Sequence, residues 1–206
     1  CEKEYETPAD RRFHSQTNSC FRCGPELRLL SSNGSRLIGD PIIKTLELLR
    51  EGKILAIKGI GGFHLACDAL NDRAVKILRD RKGRAEKPFA VLMSDLDAVK
   101  KYCLVSELEI SALTSMASPI VLLKAKGPKL SEGVSPGIST IGVMQPYTPV
   151  HHLLFHHPAL NETDLPVALV MTSGNRSEEP ICKDNDEALS RLSDLADAFL
   201  VHNRDI

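Results

Sequence analysis

The chain has 206 residues, 42% hydrophobic and 26% charged, with a formal net charge of −1, which fits one sizeable globular domain with a small appendage. The near-neutral balance argues against a broadly nucleic-acid-binding surface, for which a basic domain is expected. No apolar run approaches the roughly eighteen residues of a membrane span, and the opening Cys1-Glu2-Lys3-Glu4-Tyr5 lacks the apolar core of a secretory leader.

Residues 1–25 are polar and poor in periodic apolar positions. They hold Cys1 and the C-x2-C pair Cys20-Phe21-Arg22-Cys23. A ribbon-type structural zinc site uses two such pairs fifteen to twenty residues apart. Cys1 stands where the last cysteine of the first pair belongs, with the fourth ligand expected just before it. Thiolates so spaced close a tetrahedron around zinc and replace a core that the segment is too small to build. The alternative is that Cys1 is incidental and the pair binds nothing. Without a leader, six cysteines point to a reducing, cytoplasmic setting, and the isolated Cys67, Cys103 and Cys182 read as buried structural thiols.

Gly24-Pro25 ends the first module, and residues 26–37 read as a connector with a turn at Ser32-Asn33-Gly34. From residue 38 onward, strands and helices alternate. A helix starts at Pro41, with Ile42, Leu46 and Leu49 on one face, and stops at Gly52. Strands are expected at 54–57, 89–93, 119–124, 166–171 and 198–201, and helices at 71–80, 94–101, 106–116, 150–155 and 184–194. The Gly/Pro/Ser-rich stretch 125–140 reads as a mobile, lid-like loop. The alternation predicts an α/β domain over residues 38–206.

Two segments carry the chemistry. Arg81-Lys82-Gly83-Arg84-Ala85-Glu86-Lys87-Pro88 lies between a helix and a strand, and Thr172-Ser173-Gly174-Asn175 follows another strand. Fixed cations, a hydroxyl, an amide and open backbone N–H groups are what a polyphosphate requires. Most charge runs are merely solvated helix faces, but this one occupies a strand entrance. Familiar phosphate loops are absent. The third glycine of G-x-G-x-x-G would fall at His64, and no Walker glycine stands ahead of Gly52-Lys53. Met171 and Asn175 occupy the glycine positions of a G-x-S-x-G elbow around Ser173. The pairs His151-His152 and His156-His157 lack the acidic partner of H-E-x-x-H spacing. Lys58 and His64 flank Gly59-Ile60-Gly61-Gly62, a turn that either lets backbone approach a ligand or is only a surface turn.

Lys82-x-Arg84, Lys87-Pro88 and Thr172-Ser173-x-Asn175 resemble the signature of the YrdC-like domains. Cys1, Cys20, Cys23, Asp10-Arg11-Arg12-Phe13-His14, Gly61-Gly62-Phe63-His64-Leu65-Ala66-Cys67-Asp68-Ala69 and Pro146-Tyr147-Thr148-Pro149 narrow the likeness to the HypF-type hydrogenase-maturation carbamoyltransferases. Ala85 departs from the proline commoner after K-x-R, and Lys58-Gly59-Ile60-Gly61-Gly62 replaces the P-T-[DE]-T motif of the threonylcarbamoyl-AMP synthases.

The resemblance implies a twisted mixed sheet with flanking helices and a concave basic nucleotide site, behind a truncated zinc module. It implies ATP-dependent conversion of carbamate, derived from carbamoyl phosphate, to carbamoyl-adenylate, a step toward the cyanide ligands of [NiFe] hydrogenase. Lys82, Arg84 and Lys87 would neutralise charge. Ser173, Asn175 and Thr140 would hold phosphate or carbamoyl oxygens, and Lys58 and His64 would shape the carbamate pocket. Cys1, Cys20 and Cys23 would hold structural Zn2+. ATP, Mg2+, acylphosphatase and carbamoyl-transfer domains of a longer parent, and HypE as acceptor are the implied partners. A threonylcarbamoyl-AMP synthase and a non-catalytic binder of double-stranded RNA are the alternatives.

Overall fold

All but the first of the α-helix starts described here are written as side-chain caps. The computed structural model describes residues 1–20, 22–176 and 179–206, so that Phe21 of the C-x2-C pair lies outside the described residues. Asp40 accepts hydrogen bonds from the N–H groups of Ile42 and Ile43 at the start of α2 (Pro41–Arg50), after the short α1 (Glu2–Glu6). Asn71 caps α3 (Asp72–Lys82), which ends on Gly83 in the left-handed region at φ 59°. Asp95, Ser106, Thr148 and Asp184 cap α4 (Leu96–Tyr102), α5 (Glu107–Leu113), α6 (Pro149–Phe155) and α7 (Asn185–Leu192) in the same way.

The strands are β1 (Leu27–Ser31), β2 (Leu55–Lys58), β3 (Phe63–Asp68), β4 (Ala90–Met93), β5 (Cys103–Leu104), β6 (Val121–Ala125), β7 (Thr140–Met144), β8 (Ala168–Ser173) and β9 (Ala198–His202). They form one mixed sheet in the order β1-β9-β2-β3-β8-β4-β7-β6-β5. β2 runs parallel to β9 and β4 parallel to β7, and the other neighbours are antiparallel. Helices α3, α4, α5 and α7 contribute to the core on one face, through residues such as Val75, Leu78, Val99 and Leu192. Helices α2 and α6 cover part of the other, through Leu46, Leu49 and Leu154. Beyond them this second face is open, and Ile120 and Leu122 are largely exposed beside β7.

Three stretches differ from the sequence expectation. Residues 26–37, read as a connector, supply the edge strand β1, whose Leu29 is buried against the core. β3 was not expected. It is buried on both faces and so lacks the polar alternation that marks a half-exposed strand. The supposed lid at 125–140 is pinned at its middle: Ser131 N–H donates to Ala69 O at 2.9 Å and Phe89 N–H to Val134 O at 2.8 Å. Leu130 and Val134 enter the core, and β7 begins at Thr140.

Candidate functional site

The register of β3 and β8 creates the site. β3 faces β8 antiparallel, with His64 opposite Ser173 and Leu65 opposite Thr172. Residues opposite one another share a face, so His64 and Ser173 project together while Thr172 projects to the side of α3. Gly174 then turns the chain where a side chain could not fit, since a Cβ there would lie 2.6 Å from Phe63 O. The Gly174 N–H donates to that same oxygen at 2.7 Å.

The last residue of α3 reaches this turn. Lys82 Nζ donates to Ser173 O at 2.6 Å, to Asn175 O at 3.0 Å and to Asn175 Oδ1 at 3.1 Å. Asn175 Oδ1 also accepts from Ser173 Oγ at 2.7 Å, while Asn175 Nδ2 donates to Glu179 O at 2.6 Å. Burial, reinforced by the Arg84 charge, pulls the Lys82 ammonium down to about 8. A desolvated cation with a strongly shifted pKa, held at a turn by several oxygens, is a pattern that clusters at functional sites.

Arg84 lies beside it. Its Nη1 donates to Thr172 Oγ1 at 3.2 Å, its Nε to Lys87 O at 3.0 Å and its Nη2 to Pro88 O. The guanidinium stands 5.0 Å from the Phe89 ring centroid, and burial followed by the Arg79 charge lowers its pKa. These three bonds use three of its five N–H donors, so a ligand oxygen could meet the other two. The Lys87 side chain is exposed at the outer end of the loop and, among the described residues, has no hydrogen bond or ion pair.

Arg79, not singled out from the sequence as a site residue, shapes that loop. Its guanidinium donates to the carbonyls of Arg84 at 2.7 Å, Ala85 at 3.2 Å, Lys87 at 3.3 Å and Gly133. It also lies over the Phe89 ring at 4.7 Å. Its helical position, three residues before Lys82, was the available signal. Arg81 points elsewhere, into an ion pair with Asp197 at 2.8 Å.

The structure thus brings Lys82, Arg84, Ser173 and Asn175 together, with His64 alongside. Thr140 is half-buried in β7, two residues before Gly142, which pairs with Ala90 just beyond the cationic loop. It shares that sheet edge, its carbonyl accepts from Ser135 Oγ at 2.7 Å, and among the described residues its hydroxyl makes no hydrogen bond to the cluster. Lys58 is not brought there. It pairs with Phe63, so it projects to the face opposite His64, and its Nζ donates to Arg204 O at 2.9 Å and His202 O at 3.4 Å. The six-residue offset between Lys58 and His64 spans the turn between β2 and β3 and hides this parity in the sequence.

Next to Ser173 the open face holds a cavity of about 610 Å3, lined by His64, Tyr147, Ser173, Met144, Ile120 and other residues, none of them charged at neutral pH. Behind it His151, at 0% exposure, packs edge-on 4.7 Å from the Tyr147 ring and 6.2 Å from the His64 ring. Burial, then the charges of His64 and His152, pushes His151 down to about 3. Burial also lowers His64. Both His151 ring nitrogens and His64 Nδ1 are buried without a hydrogen-bond partner, an arrangement costing about 1–3 kcal/mol for each unsatisfied group. The four histidines near α6 do not converge: His152 and His156 are exposed, and His157 lies 3.8 Å from Asp40.

At the other end of the chain, the ligand atoms of Cys1, Cys20 and Cys23 lie within 4.8 Å of one another, the only such group among the described residues. Cys20 and Cys23 Sγ are 3.7 Å apart. The Cys20 carbonyl accepts from the N–H groups of Cys23 and Gly24, forming the tight turn that aims both sulfurs outward. Hydrogen bonds from the Arg22 and Cys23 backbone, then from the Cys23 side chain, lower the Cys20 pKa and favour the thiolate that binds metal. This set fits Zn2+. Cys67, Cys103 and Cys182 are all fully buried.

Two family models match. One, for Sua5, YciO and YrdC and described as "Telomere recombination", covers residues 47–206. The other, "HypF finger", covers residues 1–30. The carbamoyltransferase HypF of Rhodobacter capsulatus is 49% identical over 206 residues, which are 100% of this chain and 26% of that protein. A crystal structure of full-length HypF in a phosphate- and nucleotide-bound form is 53% identical, with a TM-score of 0.86 over 100% of this chain and 26% of its own. Sua5 is more distant: the crystal structure of P. abyssi Sua5 complexed with L-threonine is 18% identical, covers 76% of this chain and 45% of its own, and gives a TM-score of 0.64. That likeness shows the fold alone. The chain spans about a quarter of the length of the HypF relatives it matches.

Proposed function

This chain belongs to the Sua5/YciO/YrdC family, and from that premise we propose that it activates carbamate with ATP, forming carbamoyl-adenylate and pyrophosphate. In this reading the chain is one part of a longer carbamoyltransferase of hydrogenase maturation, divided here into a zinc module (1–25) and an ATP-binding domain that takes in the expected connector (26–37), whose β1 belongs to its sheet, as well as residues 38–206. An acylphosphatase domain would supply carbamate from carbamoyl phosphate, and a carbamoyl-transfer domain would pass the product to HypE.

The observation that carries the proposal is the convergence of Lys82 on Ser173 and Asn175, with Arg84 alongside. A carbamate oxygen attacks the α-phosphorus, the bond from that phosphorus to the bridging oxygen breaks, and pyrophosphate leaves with the electron pair. Both partners are anions, so the barrier is largely repulsion on approach and charge building on the leaving group. Lys82 and Arg84 oppose both from fixed positions in a desolvated pocket. The exposed Lys87 reaches the outer phosphates. Ser173 and Asn175 orient the phosphate, and Thr140 lies at the same sheet edge. His64 borders the carbamate, whereas Lys58 secures the segment after β9 and takes no part in the chemistry. Carbamate is already ionised, so no general base is required.

Mg2+ commonly accompanies ATP, but no carboxylate belongs to the group formed by Lys82, Arg84, Ser173, Asn175 and His64. These residues do not fit a protein-held magnesium, and no step is assigned to one. Zn2+ would be held by Cys1, Cys20 and Cys23, far in sequence from the chemistry, and would supply folding energy to the small module.

The test is ATP–pyrophosphate exchange by the chain, with carbamoyl phosphate and an acylphosphatase as the carbamate source. Carbamate-dependent exchange that disappears in Arg84→Ala supports the proposal. Exchange that requires threonine and bicarbonate instead would transfer the chain to the synthase branch. Salt-sensitive binding of double-stranded RNA without exchange would refute an enzymatic role.

A further inference from the structure

Lys58 is a buried cation that the adenylation chemistry leaves unused. It is 4% exposed and forms no ion pair among the described residues. A lysine is almost never buried without partners. Here they are two carbonyls of the segment that leaves β9, Arg204 O at 2.9 Å and His202 O at 3.4 Å. The same segment is gripped from the other face of the sheet. Lys58 lies opposite Phe63 and so leaves β2 on the face covered by α3 and α7, whereas His202 lies two residues beyond Leu200 and leaves β9 on the other. His202 Nδ1 accepts from the Arg204 N–H at 3.3 Å, and Nε2 stands 3.3 Å from Gly59 O. Burial, aided by the Lys58 charge, keeps this imidazole below its ordinary pKa. The ring is therefore neutral near neutrality, and with Nδ1 accepting, Nε2 donates its proton to Gly59 O.

Gly59 connects this clamp to the site. Its N–H donates to Gly62 O at 2.9 Å and closes the turn between β2 and β3. A Cβ on Gly59 would lie 3.3 Å from His64 Cε1 and Nδ1, so the backbone of the turn is a wall against which the His64 ring rests. At the far end of the turn, Phe63 N–H donates to Cys182 O at 2.8 Å, Cys182 N–H to Gly174 O at 3.0 Å, and Gly174 N–H to Phe63 O at 2.7 Å. The turn is thus tied on one side to residues 202–204 and on the other to the Ser173–Asn175 turn that Lys82 holds.

We propose that His202 and Lys58 are positioning residues: by clamping residues 202–204 across the end of β2 they fix the Gly59–Gly62 turn, and through it the order of this segment is coupled to the order of the Ser173–Asn175 turn. The kinetic side of the inference rests on the adenylation reading; the coupling goes beyond it, since neither side chain reaches the reacting groups. A turn with glycines at 59, 61 and 62 needs such a clamp, because glycine loses more conformational freedom on ordering than any other residue. The turn has little packing of its own: a Cβ on Gly61 would meet nothing within 4 Å, and Ile60 is 67% exposed. Coupling of this kind is reciprocal, so a ligand that orders residues 173–175 also tightens the segment after β9.

The test reads amide hydrogen exchange residue by residue by NMR, beside ATP–pyrophosphate exchange, in the parent chain and in His202→Ala, His202→Gln and Lys58→Met. In His202→Ala the Gly59 and Phe63 amides should exchange about tenfold faster, and so should the Gly174 and Cys182 amides at the site. Pyrophosphate exchange should fall about tenfold. His202→Gln keeps an N–H donor for Gly59 O and should restore both readouts to within about threefold of the parent. Lys58→Met should repeat the His202→Ala pattern. ATP should slow exchange of the Arg204 amide in the parent and not in His202→Ala. Faster exchange confined to residues 202–206 would overturn the inference and leave the adenylation reading standing. Equal losses in His202→Gln and His202→Ala would also overturn it, since the hydrogen bond to Gly59 would then not carry the coupling. If the parent showed the coupled amides but no pyrophosphate exchange, the adenylation reading would fall and the coupling would stand.

Discussion

Nucleotide binding to this chain should be accompanied by proton uptake at alkaline pH, and Lys82 should be its source. Burial lowers this ammonium from 10.5 to about 8. That shift corresponds to about 3 kcal/mol of unfavourable desolvation of the charged form. Below pH 8 the amine is charged in both folded and unfolded chains. Between 8 and 10.5 the folded chain holds fewer protons, so this group adds stability as the pH rises through that window. A bound phosphate restores the charged form and draws a proton from solution. If binding returns the pKa to its ordinary value, uptake is about 0.1 proton at pH 7, about 0.5 at pH 8 and about 0.9 at pH 9. Affinity then falls about tenfold between pH 7 and pH 9. Calorimetry in two buffers of different ionisation enthalpy reads the uptake directly at pH 8 and 9, where ATP itself is fully ionised. In Lys82→Met the uptake should vanish. Undiminished uptake in that variant, or none in the parent chain, would refute the account.

Three further outcomes are expected. Arg79→Ala removes four hydrogen bonds to loop carbonyls; it should cost about 3 kcal/mol in urea unfolding and weaken ATP binding without Arg79 touching the ligand. An unchanged midpoint would show that the loop holds itself. Gly174→Ala places a Cβ 2.6 Å from Phe63 O and 2.7 Å from Phe63 Cβ, and should lower stability by about 1–3 kcal/mol, seen as a fall in Tm of several degrees; a Tm within one degree would contradict the steric argument. Zinc content should be about one ion per chain and should be lost in Cys23→Ser, measured by release to a chromogenic chelator, whereas equal zinc in both would place the metal elsewhere.

The elements with strong local signals were legible in the sequence. Pro41 announced α2, the cap candidates Asn71 and Asp72 announced α3, and the cations and the Thr172–Asn175 turn marked the two halves of the site. What failed was non-local. Strand parity sends Lys58 and His64 to opposite faces, and only the register of β2 with β3 reveals it. The 125–140 stretch has the composition of a mobile loop, yet Leu130 and Val134 anchor it in the core. Arg79 looked like one more surface cation, but its partners are backbone carbonyls, which no sequence pattern displays. His151 resembled part of a surface histidine cluster, since helical phase alone does not tell which turn packs on the sheet.

The pairing of β1 with β9 bears on how such a unit would behave within the longer polypeptide proposed above. Glu26 N–H donates to Asn203 Oδ1 at 2.9 Å, and Asn203 Nδ2 donates to Gly24 O at 3.1 Å. The chain therefore enters and leaves the sheet at one corner. A fold with its two doors side by side can be carried as a cassette, because its neighbours in sequence need not span it. The same corner imposes a delay during synthesis. β1 is made first and waits for β9, at the far end of the sheet's sequence, so Leu29 cannot be covered on that side until nearly the whole unit has emerged. Closure of this corner is a long-range, slow-forming contact, and it places the zinc module beside the last seam to seal.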